Sequence, residues 1–500
     1  MPLPPSIDDA VQRVDAQISH YFDLIRDLRS QRNALVPISQ FPTEVLCRIF
    51  MEVRGGCDSS RYTNHWFWTK TSYSEPSLEW IAVSHVSRHW REAAIREPRL
   101  WTDPPLNNSK WATIMLERSC MATLPAITMR FPKFGESALS ALGPHLPRTS
   151  SLVIPAILPQ ALQKILSHSY LPLSAPELET LSVNCWTNSA LSKRQKFWYH
   201  IPFKTHEEAV IFPDNVLHDT PKLKRLELRG IVINWRSTLL SHLTTLAISN
   251  IPDHSKPTPT QLITMLESAP GLTRLYLGDV CPSIESNSSD NLPRRFPMHS
   301  LAYVNLRGHI HQLLLFFRIV AAPGLQGCSI TVTYSENVVV HLPQLFLSMS
   351  QSFNISNVIG SDKDVRRLQL AHCTQSDLYV RASKVLPCDR SLEPDKGRPD
   401  TNHLKWIGLW DKIDHRCLII EIAAHLVQSW NDNLEWDSAR LANMQQLTSA
   451  VISHLFRSFD WNGLSELDTW SLKYGQQRMF ASTFGTIPDL RESLSGRWDI

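Results

Sequence analysis

Glycine is scarce in this chain, at 17 of 500 residues, where ordinary usage is about 7%. That scarcity disfavours folds that cradle phosphates on glycine-rich loops, and no G-x-x-x-x-G-K-S/T, G-x-G-x-x-G or G-x-S-x-G run occurs. An excess of one charge is missing too. Fifty lysines and arginines stand against 47 aspartates and glutamates, too even a balance for a global field that draws nucleic acid or acidic lipid. No apolar run reaches the roughly 18 residues that span a membrane. The best, Leu313 to Val320, is broken by Arg318. The first residues, MPLPPSIDDAVQRVD, lack the basic-then-apolar order of a signal peptide. Nine cysteines lie singly, with no C-x-x-C. They read as reduced, mostly buried thiols of a cytoplasmic or nuclear protein. What is present is a foldable composition, 43% apolar and 19% charged with 33 prolines, which excludes a disordered or collagen-like chain. Length alone suggests about three domains, unless repeats extend one core.

The first expected domain is a helix over residues 6–36. Ile7, Val11, Val14, Ile18, Tyr21, Ile25 and Leu28 are spaced alternately four and three apart, with Leu35 one heptad further on. That alternation places them on a single seam. Ser6 can cap the start, and Asp8 and Asp9 suit the positive helix end. The seam slips only at Arg32, and Pro37 ends the helix. Such a helix associates through residues 7–35 with a second copy or another partner, or it packs back on its own chain.

The second expected domain covers 37–103, with a polar insert over about 54–77. Phe41, Val45, Leu46, Ile49 and Phe50 are apolar at helical spacing, and Pro42 suits a first helical turn. After the insert, Ile81, Val83, Val86, Trp90, Ala93 and Ala94 make a second apolar face, closed by Pro98 before Leu100 and Trp101. Short helices of about ten residues cannot bury both faces alone and need a partner surface. The run Phe41-Pro42-Thr43-Glu44-Val45-Leu46-Cys47-Arg48-Ile49-Phe50, followed by Val86-Ser87-Arg88-His89-Trp90-Arg91 and Pro98-Arg99-Leu100-Trp101, resembles the F-box motif. The arrangement looks like the F-box-like proteins of mushroom-forming fungi, which often carry a heptad helix in front and leucine-rich repeats behind. Phe41 replaces the usual leucine, Ser87 the usual cysteine, and the insert is longer than the usual spacer. The resemblance implies binding to a Skp-type adaptor and, through it, to a cullin–RING ubiquitin ligase. It implies that Phe41, Pro42, Val45, Leu46, Ile49 and Phe50 enter the adaptor groove. Val86, Trp90, Leu100 and Trp101 would hold the helices together and complete the interface.

Residues 104–500 read as an irregular leucine-rich-repeat-like solenoid with a parallel sheet, so the fold class is an α/β repeat behind a short all-α module. The pattern L-x-x-L-x-L recurs at Leu178-Leu181-Val183, Leu223-Leu226-Leu228, Leu243-Leu246-Ile248, Leu272-Leu275-Leu277 and Leu301-Val304-Leu306. Leu325-Cys328-Ile330 and Leu124-Ile127-Met129 are weaker copies. The 45-residue step from 178 to 223 leaves room for one degenerate copy. Pro176, Pro221, Pro270 and Pro323 each precede the first leucine by two, as Pro488 does before Leu490. Such a proline stops a helix and starts an extended strand. Gln261–Ser268 is expected to be one such helix. Glu227, Ala247 and Tyr276 are expected on an open concave sheet. Further on, 386–402 reads as a loop, 417–430 and 441–459 as amphipathic helices, and Leu464, Leu467 and 479–490 as further repeat units.

Catalytic and metal chemistry finds little support. His85 and His89 lie four apart, but Val86-Ser87-Arg88 replaces the Glu-x-x of a zinc protease. The insert RYTNHWFWTK (61–70) has three stackable rings with too few cations for a nucleic-acid site, and reads as an apolar cover or partner contact. No cofactor, no membrane and no nucleic acid are expected. The expected function is a non-enzymatic receptor that holds the ligase by its F-box and an unidentified protein target by its repeats. The rivals are an interaction scaffold without ligase role and an enzyme assembled from scattered residues.

Overall fold

The computed structural model describes residues 7–58, 77–130, 140–167, 171–185, 210–282, 295–333 and 338–354, residue 454, and four later strands. These residues fall into two units, one built from 7–58, 77–127 and 140–149 and the other from 128–130 and from 150 onward.

The first unit is helical. Helix α1 (Ile7–Ala34) stops before a 3-10 turn at Pro37–Gln40. Helix α2 (Thr43–Asp58) follows, then a 3-10 helix Glu79–His85, helix α3 (Arg88–Arg96), a 3-10 turn Pro98–Trp101 and helix α4 (Ser109–Arg118). The single apolar face predicted from Ile81 to Ala94 is broken at Val86. There Ser87 is extended and its hydroxyl accepts the Trp90 backbone N–H at 3.2 Å, so a fresh helix starts. Arg148 is buried beside α4 and donates from Nη2 to the Leu116 carbonyl at 3.3 Å and to Ser119 Oγ at 2.7 Å. Ser6 and the ring-rich run 61–70 lie outside the described residues.

The second unit is built on a sheet of twelve strands: β1 (Ile127–Arg130), β2 (Ser151–Ile157), β3 (Thr180–Cys185), β4 (Arg225–Arg229), β5 (Thr245–Ser249), β6 (Arg274–Gly278), β7 (Tyr303–His309), β8 (Gly327–Thr333), β9 (Arg366–His372), β10 (Leu378–Lys384), β11 (Cys417–Ala423) and β12 (Leu464–Trp470). Their spatial order is β1-β2-β3-β4-β5-β6-β7-β8-β11-β10-β9-β12. From β2 through β8 to β11 every pairing is parallel, whereas β10 runs antiparallel to both β11 and β9. The recurring leucines become rows. Leu181, Leu226, Leu246, Leu275, Val304 and Cys328 stand in register, as do Val183, Leu228, Ile248, Leu277, Leu306 and Ile330. Every one of them is buried. Residues alternate across a strand, so two apolar positions two apart face one side and stack with their neighbours. Helices α5 (Pro159–Ser167), α6 (Pro259–Ser268), α7 (Ile310–Ile319) and α8 (Val338–Ser352) connect strands. The apolar run around Leu313 is α7, which packs on β7, β8 and α8 and is buried almost all round. No helix among the described residues is long and apolar enough to cross a membrane.

Four expectations change. β3 pairs directly with β4, so no further strand stands between them in the sheet, and residues 186–209 lie outside the described residues. The recurrent prolines occupy the second position of tight turns: the N–H groups of Leu178, Leu223, Leu272 and Leu325 donate to Ala175, Thr220, Ala269 and Ala322 at 3.0–3.1 Å. Only Pro270 also follows a helix directly, α6 over the predicted 261–268. Residues 417–423, expected to be helical, form β11, the β-branched CLIIEIA run being one that period alone cannot assign. The remainder of 417–430 lies outside the described residues. So do 386–402, 479–490 with Pro488, and 441–459 apart from residue 454. Finally, Glu227, Ala247 and Tyr276 do share one row on the second face, but all three are buried. The row carries its own polar partners: Glu227 accepts from Ser182 Oγ at 2.9 Å and from Arg225 Nε at 2.5 Å.

Candidate functional site

Helix α2 begins where the Pro42 carbonyl accepts the N–H groups of Val45 and Leu46 at 3.0 and 3.1 Å. Pro42 therefore sits just outside the helix, where its missing N–H costs nothing. From there two stripes of period four run side by side. Leu46, Phe50 and Arg54 point inward and are buried. Val45, Ile49 and Val53 lie one residue earlier, about 100° round the helix. Val45 and Val53 are 42% and 41% exposed, and Ile49 is half-buried.

The inward stripe meets the rest of the unit. Leu46 and Phe50 share one core with Trp80, Ile81, Val83, Ala94, Leu100, Trp101 and Met115. Trp101 is fixed from three sides. Its indole N–H donates to the Ala94 carbonyl at 2.8 Å, Trp80 meets it edge-on at 5.0 Å, and the Arg118 guanidinium lies 4.4 Å over its ring. Buried Arg54 donates from Nη1 to the Arg99 carbonyl and to Thr102 Oγ1, tying the end of α2 to the last turn. Glu97 accepts from Arg99 Nε at 2.7 Å and Nη2 at 2.9 Å, and this bonding holds its carboxyl below the usual range. Burial is the main cause pushing the Cys47 thiol up, and it pushes those of Cys185 and Cys281 up to about 12. Thiols so shifted stay protonated at neutral pH and are inert as nucleophiles.

Of the residues the F-box resemblance singles out, Phe41, Pro42, Val45 and Val86 are exposed, and Ile49 and Trp90 are half-buried. Leu46, Phe50, Leu100 and Trp101 are all at 0% exposure and serve as core. Leu100 and Trp101 lie in one core with residues of α2 and α3. Leu46 and Phe50 present nothing to a groove in this fold, since both are filled against this unit's own tryptophans. Trp90 meets Phe50 at 5.2 Å with the two rings tilted by 52°, its indole N–H shielded and without a hydrogen-bond partner among the described residues. Val53 lies past Phe50, where the first run of the motif stops, and its signal in the sequence is the i, i+4, i+8 spacing from Val45. The outcome is a closed small core wearing an apolar stripe on α2; Phe41, ahead of α2, and Val86, at the α3 junction, are exposed as well.

Such a stripe on a helix too short to span much surface suits a helix-recognition contact. Residues 38–106 match the F-box-like family model. The F-box-like domain thus covers α2, α3 and the turns between them, and ends just after the buried Leu106. No curated protein matches the chain.

Proposed function

We propose that this chain is the substrate-recognition subunit of a cullin–RING ubiquitin ligase of the SCF type, held by a Skp-type adaptor through the F-box-like domain. The observation that carries the reading is the α2 stripe of exposed Val45 and Val53 with half-buried Ile49 between them, on a domain whose core is already complete. A free domain with a finished core has no internal use for that stripe, and apolar anchors of this kind supply most of the energy of a groove contact. The unit with the leucine rows is a leucine-rich-repeat-like array that holds the target. The chain performs no bond chemistry. It raises the effective concentration of target lysines near a charged conjugating enzyme.

The test is co-purification of the full chain with a Skp-type adaptor. Val45→Asp with Val53→Asp places two charges on the stripe without touching the core, so adaptor binding is lost while the melting temperature stays within a few degrees of the parent. Binding that persists overturns the reading. Leu46→Asp is not a substitute, because a carboxylate in that core unfolds the domain. Ubiquitin remnants on co-isolated proteins that vanish in the Val45/Val53 variant support a receptor over a scaffold.

A further inference from the structure

Helix α1, the longest among the described residues, buries none of its apolar face. No residue of α1 is buried, and every seam residue from Ile7 to Leu28 is 44–83% exposed. Phe22 and Leu24 widen the seam at its middle and are exposed too. Among the described residues of its own unit, the seam is left uncovered. An ion pair between α1 and the rest of its unit, Asp27 to Arg88 at 3.6 Å, leaves from a position about 130° round the helix from the centre of the seam. The seam therefore faces away from the body that carries it.

The charges say what covers it. Written as heptads, Val11, Ile18 and Ile25 are a positions, Ile7, Val14, Tyr21 and Leu28 are d positions, and Arg32 falls at a. Residues 7–20 hold three acids against one base, whereas residues 21–34 hold three bases against two acids. A parallel pair would set Arg32 against Arg32 and like half against like half. An antiparallel pair centred between residues 19 and 20 opposes the halves. It layers Val11 on Leu28, Val14 on Ile25 and Ile18 on Tyr21, twice each by symmetry. The stem of each Arg32 then lies over Ile7, and each Asp8 flanks the Arg29 of the other copy at e positions. The helix dipoles oppose as well.

We propose that α1 is a homodimerisation helix that pairs antiparallel with α1 of a second copy in this register. The pairing is independent of adaptor binding, which uses other residues. The test is sedimentation equilibrium of the full chain over a range of concentrations. Mass is expected to rise towards twice that of one chain, and Ile18→Asp with Ile25→Asp to hold it at one, with tryptophan fluorescence and melting of the rest unchanged. A parent that stays monomeric up to its solubility limit, or a dimer that survives the double aspartate, overturns the proposal. Orientation is read by charge exchange. Asp8→Arg alone and Arg29→Asp alone each turn two attractions into two repulsions and weaken the dimer about tenfold. Asp8→Arg with Arg29→Asp restores it. A parallel dimer, or a heterotypic partner for α1, gives no such rescue, and that result also overturns the proposal.

Discussion

At the residue scale, one position along α2 separates a core residue from a surface one. Phe50→Ala should cost about 3–5 kcal/mol, read by chemical denaturation, because it opens a void among Trp80, Trp90 and Trp101. Val45→Ala should cost well under about 1 kcal/mol, since its side chain is already largely in water. The sequence marked both as apolar and could not tell them apart, because the direction of the helix axis against its neighbours is set by tryptophans 30 to 51 residues further on. Trp90→Phe keeps the ring on Phe50 and removes a shielded, unpartnered N–H, so stability should hold or rise. His145 gives the first unit an acid limit. Burial first, and the Arg148 guanidinium second, hold its imidazole below the ordinary value, and its Nδ1 accepts from Arg148 Nε at 3.3 Å. The unfolded chain takes up the proton first as pH falls. Stability is thus complete above about pH 6.5 and is lost as pH drops from there through the lower folded value. Denaturation midpoints of the parent should fall across that window, and those of His145→Gln should fall less.

At the element scale, the leucine rows were plain in the sequence because spacing of two within a strand and, from Leu223 on, 20–29 between strands is a local signal. The corners were not. Gly230, Asn250 and Asp279 each follow a strand in left-handed backbone, with φ of 65°, 55° and 60°, and repeat at the same steps as the leucines. These are residue types that tolerate that conformation, so the signal was present but spread over three different letters. At Gly230 a Cβ would also come within 2.8 Å of the Cys185 carbonyl oxygen. Gly230→Ala should therefore destabilise the sheet by about 1–3 kcal/mol, measured by thermal melting. Ser87→Ala removes the cap that starts α3 and should cost about 1 kcal/mol. The buried second face was hidden for a different reason. Polar residues such as Glu227 read as solvent-facing until their partners, Ser182 and Arg225, are placed beside them.

At the scale of the whole molecule, strand order follows chain order from β1 to β8 and then departs from it. A nascent chain can lay down those eight strands as they appear, each on the edge left by the last. The edge of β8 then has to wait, because the strand that pairs with it, β11, begins about 80 residues later. At 5–20 residues per second the ribosome leaves that edge bare for roughly 4–16 s. The stretch Ile330-Thr331-Val332 lies on it. A protein made this way should be most prone to aggregate when synthesis stalls between residues 334 and 416, and a release assay of truncated nascent chains would find the insoluble fraction peaking there.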